Sequence, residues 1–148
     1  MNRRQFVLRS ITAAAFSPWS STTWAATPTL TLHKDPGCTC CEGHAKHLRQ
    51  NGFKVDIVES PDLNAFRLEH GIPHNLVGCH TILVDGYIVE GHVPGQAVHK
   101  LLSERPAIKG ISLPGMPLGS PGMDGPKEGP FVVLDIQDGV MPRVFWQE

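Results

Sequence analysis

The sequence predicts a mixed α/β domain whose elements run β-α-β-α-β-β-α. Three observations point to it. Two alternating apolar runs are separated by a short amphipathic segment, a tight Asp85-Gly86 turn joins two further apolar runs, and an amphipathic stretch follows them. Strands repeat every two residues and helices every 3.6, so these patterns separate the two element types.

Leu30-Thr31-Leu32-His33 alternates and reads as the first strand, broken by Asp35-Pro36-Gly37. Glu42 to Asn51 predicts a helix, with Ala45 and Leu48 three apart and Gly52 as its stop. Phe53 to Val58 alternates again as a second strand. Ser60-Pro61-Asp62 opens a second helix, with Leu63, Phe66 and Leu68 as its apolar positions and Gly71 as its end. Thr81 to Val84 and Tyr87 to Val89 form a hairpin about Asp85-Gly86. Gln96 to Glu104 predicts a third helix with Val98, Leu101 and Leu102 on one face. This is the thioredoxin-like order of elements. Leu113 to Pro130 is dominated by Gly and Pro and predicts no regular element. Phe131 to Ile136, a turn at Asp138-Gly139 and Arg143 to Trp146 then predict a terminal hairpin. That hairpin is an extension of the core, because 148 residues are too few for two comfortable domains.

Residues 1–25 read as an export signal. Arg3-Arg4 followed by Phe6 resembles the twin-arginine signal, Ile11 to Phe16 is a modest apolar stretch, and Thr23-Trp24-Ala25 offers small residues before a cut. The expected mature domain is therefore 26–148. The apolar stretch falls well short of the roughly 20 residues of a spanning helix. Nothing further along is a candidate either, so no membrane span is expected in the mature chain. Loss of the signal removes Arg3, Arg4 and Arg9 from 13 basic side chains and none of the 14 acidic ones, leaving a net charge of −4 with neutral histidines. An acidic chain of this kind argues against nucleic acid as a partner.

The chemistry is concentrated in the cysteines. Cys38, Cys40 and Cys41 fall within four residues, and Cys79 is the fourth. That is too dense for an ordinary disulfide framework. Thiolates are soft ligands that select copper(I), zinc or iron–sulfur clusters. A cysteine run at a strand-to-helix junction also gains from the positive end of the helix dipole, which serves metal binding and disulfide chemistry alike. In a thioredoxin-like core the end of the first strand meets the start of the third. Gly78-Cys79-His80 stands at the latter, and Glu90-Gly91-His92 closes the strand that runs back to the same edge. Cys79 and His92 are thus expected beside the cysteine run. His80 occupies the place where that fold usually carries a cis proline. It either tunes the site or replaces the proline sterically. Met116 and Met123, in the Gly/Pro-rich segment, offer thioethers suited to copper(I), with a hydrophobic plug as the equal alternative. His44, one turn after Cys40, is assigned to solvated surface, with approach to the site as the alternative.

Pro36-Gly37-Cys38-Thr39-Cys40-Cys41, Cys79-His80-Thr81, Glu90-Gly91-His92-Val93-Pro94 and the two Gly-Met pairs at 115–116 and 122–123, in that order, resemble the CopG-type family of periplasmic copper-resistance proteins. The resemblance covers essentially the whole mature chain. It implies a thioredoxin-like periplasmic protein whose ligands to copper are Cys38, Cys40, Cys41, Cys79 and His92. Several copper(I) ions bridged by thiolates, copper redox activity and envelope copper-handling partners are the corresponding expectations. Two other classes stay open on the residues alone. Cys38 and Cys41 have the C-x-x-C spacing of a metal-independent thiol–disulfide oxidoreductase, although Cys40 and Cys79 exceed what exchange requires. A zinc or iron–sulfur carrier is the other, although zinc prefers a closed four-ligand site.

Overall fold

The computed structural model describes residues 26–148; the expected signal segment, residues 1–25, lies outside the described residues. The elements are β1 (Thr29–Lys34), α1 (Thr39–Gln50), β2 (Lys54–Glu59), α2 (Leu63–Glu69), β3 (Thr81–Val84), β4 (Tyr87–Glu90), α3 (Gly95–Glu104), β5 (Gly110–Ser112), β6 (Val132–Ile136) and β7 (Val144–Gln147). They form one seven-stranded sheet in the order β2-β1-β3-β4-β5-β6-β7. β1 pairs parallel with β2 and antiparallel with β3, and β3 and β4 form the expected hairpin. Among the described residues no helix is long and apolar enough to cross a membrane.

Alternation along the strands sorts the core onto two faces. Leu30, Leu32, Ile82, Val84, Val89, Ile111 and Val133 meet α1 and α3 in the larger cluster. Leu83, Ile88, Leu134 and Ile136 point the other way and are covered by Ile72, Leu76 and Val77. The terminal hairpin is not a separate appendage. β5, a three-residue strand too short for any periodic signal, pairs parallel with β4 and antiparallel with β6 and so welds the hairpin to the core sheet. Glycine makes this approach possible: a Cβ on Gly110 would lie 1.9 Å from the Ile88 carbonyl oxygen. The Gly/Pro-rich segment is irregular as expected, apart from an isolated bridge between Gly115 and Gly78.

Two expectations fail on burial. In α2, capped by Asp62 through the Ala65 N–H at 2.9 Å, the inward pair is Leu63 and Arg67, one turn apart. Leu68, one residue further round, is 79 % exposed rather than apolar lining. His44, expected at the solvated surface, is fully buried. It belongs to the inward stripe Cys41, His44, Ala45 and Leu48 of α1, whose spacing of three, four and seven is that of one helix face.

Arg67 is buried because it meets Glu90, which has no exposure. Arg67 Nε donates to Glu90 Oε1 at 2.9 Å, the Gly78 N–H donates to the same oxygen at 2.9 Å, and Thr81 Oγ1 donates to Oε2 at 2.6 Å. Arg67 Nη2 also donates to the Gly78 carbonyl at 2.9 Å. Burial pushes the Glu90 carboxyl up, and Thr81, Arg67 and the Gly78 amide pull against it. Gly78 is thus held at both backbone polar groups. It also packs on Gly91, since a Cβ on Gly78 would lie 2.5 Å from Gly91 Cα.

Two stability predictions come from this packing. Arg67→Ala leaves a buried carboxylate without its partner and is expected to cost about 3–5 kcal/mol, read as a lowered midpoint in equilibrium urea unfolding. Gly122 combines a φ of +88° with a built Cβ 2.3 Å from the His44 backbone nitrogen. Gly122→Ala is therefore expected to cost about 1–3 kcal/mol through overpacking, and an unchanged midpoint would contradict this contact.

Candidate metal centre

The chain leaves β1 at Lys34 and turns through Asp35-Pro36-Gly37, with Gly37 at φ +78° and the Cys38 N–H donating to the Asp35 carbonyl at 3.2 Å. Cys38 then stands at the cap position of α1 without a capping side-chain hydrogen bond. The helix begins at Thr39, earlier than the periodicity indicates, so Cys40 and Cys41 lie in its first turn. The unpaired amides and positive dipole end of α1 therefore face the same place as the sulfurs.

Cys79 arrives from the opposite side on the segment held by Arg67 and Glu90. Its Sγ lies 3.6 Å from that of Cys38, 3.3 Å from Cys40 and 3.4 Å from Cys41. Cys38 and Cys40 are 3.5 Å apart. All four sulfurs fall within 4.8 Å of one another. Cys38 and Cys41 are joined as a disulfide, and Cys40 and Cys79 are free. Burial, reinforced by Cys40, pushes the Cys79 thiol up to about 12. Cys79 is thus a poor nucleophile in the absence of a cation.

A second group shares Cys79. Its sulfur and one nitrogen each of His80 and His92 also fall within 4.8 Å of one another. The open end of the β3–β4 hairpin puts these residues side by side, where the Gly91 N–H donates to the His80 carbonyl at 2.8 Å. His44, His80 and His92 are all fully buried, with ring centroids 4.8 to 5.1 Å apart. His44 Nε2 is 2.8 Å from the Val93 carbonyl, His44 Nδ1 is 2.7 Å from His80 Nε2, and His92 Nδ1 is 2.7 Å from the Pro121 carbonyl. Burial lowers the pKa of all three, that of His44 to about 3, so the rings are neutral at neutral pH. Among the described residues two buried nitrogens are left without a hydrogen-bond partner, His80 Nδ1 and His92 Nε2. Buried polar atoms are nearly always paired, so such atoms need an explanation.

This donor set fits a soft metal ion. Thiolate sulfurs and neutral imidazole nitrogens are what copper(I) and zinc select, and the two histidines that carry unpartnered nitrogens each bring a ring nitrogen within 4.8 Å of the Cys79 sulfur. The structure brings together Cys38, Cys40, Cys41, Cys79, His80 and His92. His44 is adjacent to this group, but both of its nitrogens are already engaged. Met123 is half-buried and lines a depression with Thr39, Cys40, Leu118, Gly122 and Asp124, the opening through which Cys40 meets solvent. Met116 is exposed and does not line it. Sequence reasoning passed over Arg67 and Glu90, which hold the Cys79 segment. A lone arginine in a short helix carries no mark of burial. For His44 the signal existed, in the inward stripe it shares with Cys41, Ala45 and Leu48.

Comparison with known proteins agrees with this geometry. Residues 76–123 match a family model described as "Protein of unknown function, DUF411", a span that contains Cys79, His80, His92 and both loop methionines. No curated protein matches the chain. Two solved structures are similar over nearly their whole length. "Copper resistance protein copG- Form 2" is 36% identical with a TM-score of 0.76, covering 82% of this chain and 98% of that one. "Copper resistance protein copG- Form 1" is 37% identical with a TM-score of 0.74, covering 81% and 96%. With that identity over that coverage, this chain belongs to the CopG-type family.

Proposed function

We propose that this chain is a copper-resistance protein of the cell envelope that binds copper(I) through Cys38, Cys40, Cys41, Cys79 and His92, with His80 as a further nitrogen ligand. The observation that carries the reading is the sharing of Cys79 between the four clustered sulfurs and a second group with His80 and His92, each of which has a buried nitrogen without a partner. The names of the two similar structures support copper as the cargo. A thiolate can bridge two copper(I) ions, so adjacent cysteines suit more than one ion per chain. Copper is the substrate here rather than a resident cofactor. Exchange with an external dithiol reductant, which is itself oxidised to a disulfide, would convert the Cys38–Cys41 disulfide to two thiols and make all four cysteines available. Export by the twin-arginine route, which carries folded cargo, and residence in the periplasm belong to the same proposal and rest on Arg3-Arg4 and residues 1–25.

A second reading is favoured by one observation. The disulfide has C-x-x-C spacing at the start of a helix, as in a thiol–disulfide oxidoreductase. The bare histidine nitrogens have no role in that chemistry, so copper binding is the stronger account.

Two experiments separate the readings. Reduced, metal-free protein titrated anaerobically with copper(I), in competition with a chromogenic copper(I) chelator, is expected to bind more than one equivalent. Cys79→Ser is expected to lose bound copper from both the sulfur cluster and the histidine side, and an unchanged stoichiometry and affinity would refute the shared role of Cys79. Metal-free protein is also expected to reduce insulin far more slowly than thioredoxin. A rate comparable to thioredoxin would instead make disulfide exchange the leading function.

A further inference from the structure

The buried histidines are wired in one direction only. A carbonyl oxygen accepts and never donates, so His44 Nε2 carries the proton it gives to Val93. A neutral imidazole has one N–H, so His44 Nδ1 is a bare acceptor. The short contact to His80 Nε2 then requires the proton on His80, and His80 Nδ1 is left with its lone pair exposed. The Pro121 carbonyl acts on His92 in the same way, fixing its proton on Nδ1 and leaving Nε2 bare. The two nitrogens stripped by this logic are the same two that have no hydrogen-bond partner among the described residues.

We propose that His44 is a positioning residue, which accepts from His80 Nε2 and so holds the His80 ring in the orientation and tautomer that leave the Nδ1 lone pair free for a metal ion. The proposal rests on the metal-binding reading above. His44 does not itself bind the ion, since both of its nitrogens are engaged. Metal-bound histidines usually give their second N–H to a carboxylate or a backbone carbonyl. Here the acceptor is another histidine, which accepts at Nδ1 only while the Val93 carbonyl keeps its proton on Nε2. Val93 follows His92 directly, so the carbonyl that fixes His44 and the second nitrogen donor come from one short stretch of chain. Gly122 supports the other arm: it lies against the backbone of Gly43 and His44, next to the Pro121 carbonyl that orients His92.

The test uses the full-length chain, reduced, metal-free and ¹⁵N-labelled. Nuclear magnetic resonance is expected to detect a nitrogen–nitrogen coupling across the His80–His44 hydrogen bond, with the proton on His80 Nε2, and His92 protonated on Nδ1. A proton on His44 Nδ1, or on His80 Nδ1, would overturn the proposal. His44→Leu is expected to abolish the coupling and to weaken copper(I) binding about 10–100-fold without altering the number of titratable thiols. In His44→Gln the amide accepts from His80 and donates to Val93, and most of the lost affinity should return. Copper(I) affinity in His44→Leu equal to that of the unaltered chain would overturn the positioning role and leave the copper reading intact. Absence of copper binding by the unaltered chain would sink both. Persistence of the His92 Nδ1–H signal checks that His44→Leu is folded. If that variant does not fold, the coupling in the unaltered chain and the affinity of His44→Gln decide the matter.

Discussion

Glu90 organises this protein. Its carboxyl is removed from water, and Arg67, the Gly78 amide and Thr81 all donate to it. A buried ion pair contributes little net stability, because desolvation offsets most of the attraction. Its value here is geometric. The contacts join α2, the approach to β3 and the end of β4, and they fix the backbone on either side of Cys79. Cys79 is then a preset counterpart to the first turn of α1, not a residue on a free loop.

Desolvation also decides the state of the site. It keeps Cys79 protonated and keeps three histidines neutral. A neutral imidazole offers a lone pair, and a cationic one does not. The same burial that would penalise a charge thus prepares the nitrogens to act as ligands. His80 Nδ1 and His92 Nε2 are left unpaired in a buried place among the described residues, a cost that a bound cation would relieve.

The Gly/Pro-rich segment belongs to the site as much as the cysteine run does. Its Pro121 carbonyl orients His92, its Met123 borders the opening at Cys40, and its Gly122 fits against Gly43 and His44 with no room for a Cβ of its own. Irregular backbone serves this purpose better than a strand would, because its carbonyls are not committed to a ladder. Tight contact between two glycines then holds the irregular chain in one place.

The local elements were largely legible in the residues: β1, the hairpin about Asp85-Gly86 and the three helices follow from short-range periodicity and turn chemistry, within a residue or two at most of their ends. The start of α1 was an exception, since Thr39 and the cysteines carry no apolar period. The cysteine triplet and the Gly-Cys-His and Gly-His-Val-Pro segments were equally legible as chemistry, and the thioredoxin-like order indicated that they meet. What the residues alone did not decide was burial and pairing between distant positions. Leu68 was expected to line α2, yet the tertiary structure turns Arg67 inward because Glu90 waits there. β5 has only three residues and exists because Ile88 and Ile136 flank it. His44 is buried on the inward face of α1, and the carbonyls that His44 and His92 meet, those of Val93 and Pro121, come from distant parts of the chain. Periodicity and turn residues act over one or two turns of chain and can be read from sequence. A proton's position on a buried ring depends on an acceptor dozens of residues away, and only the folded chain supplies it.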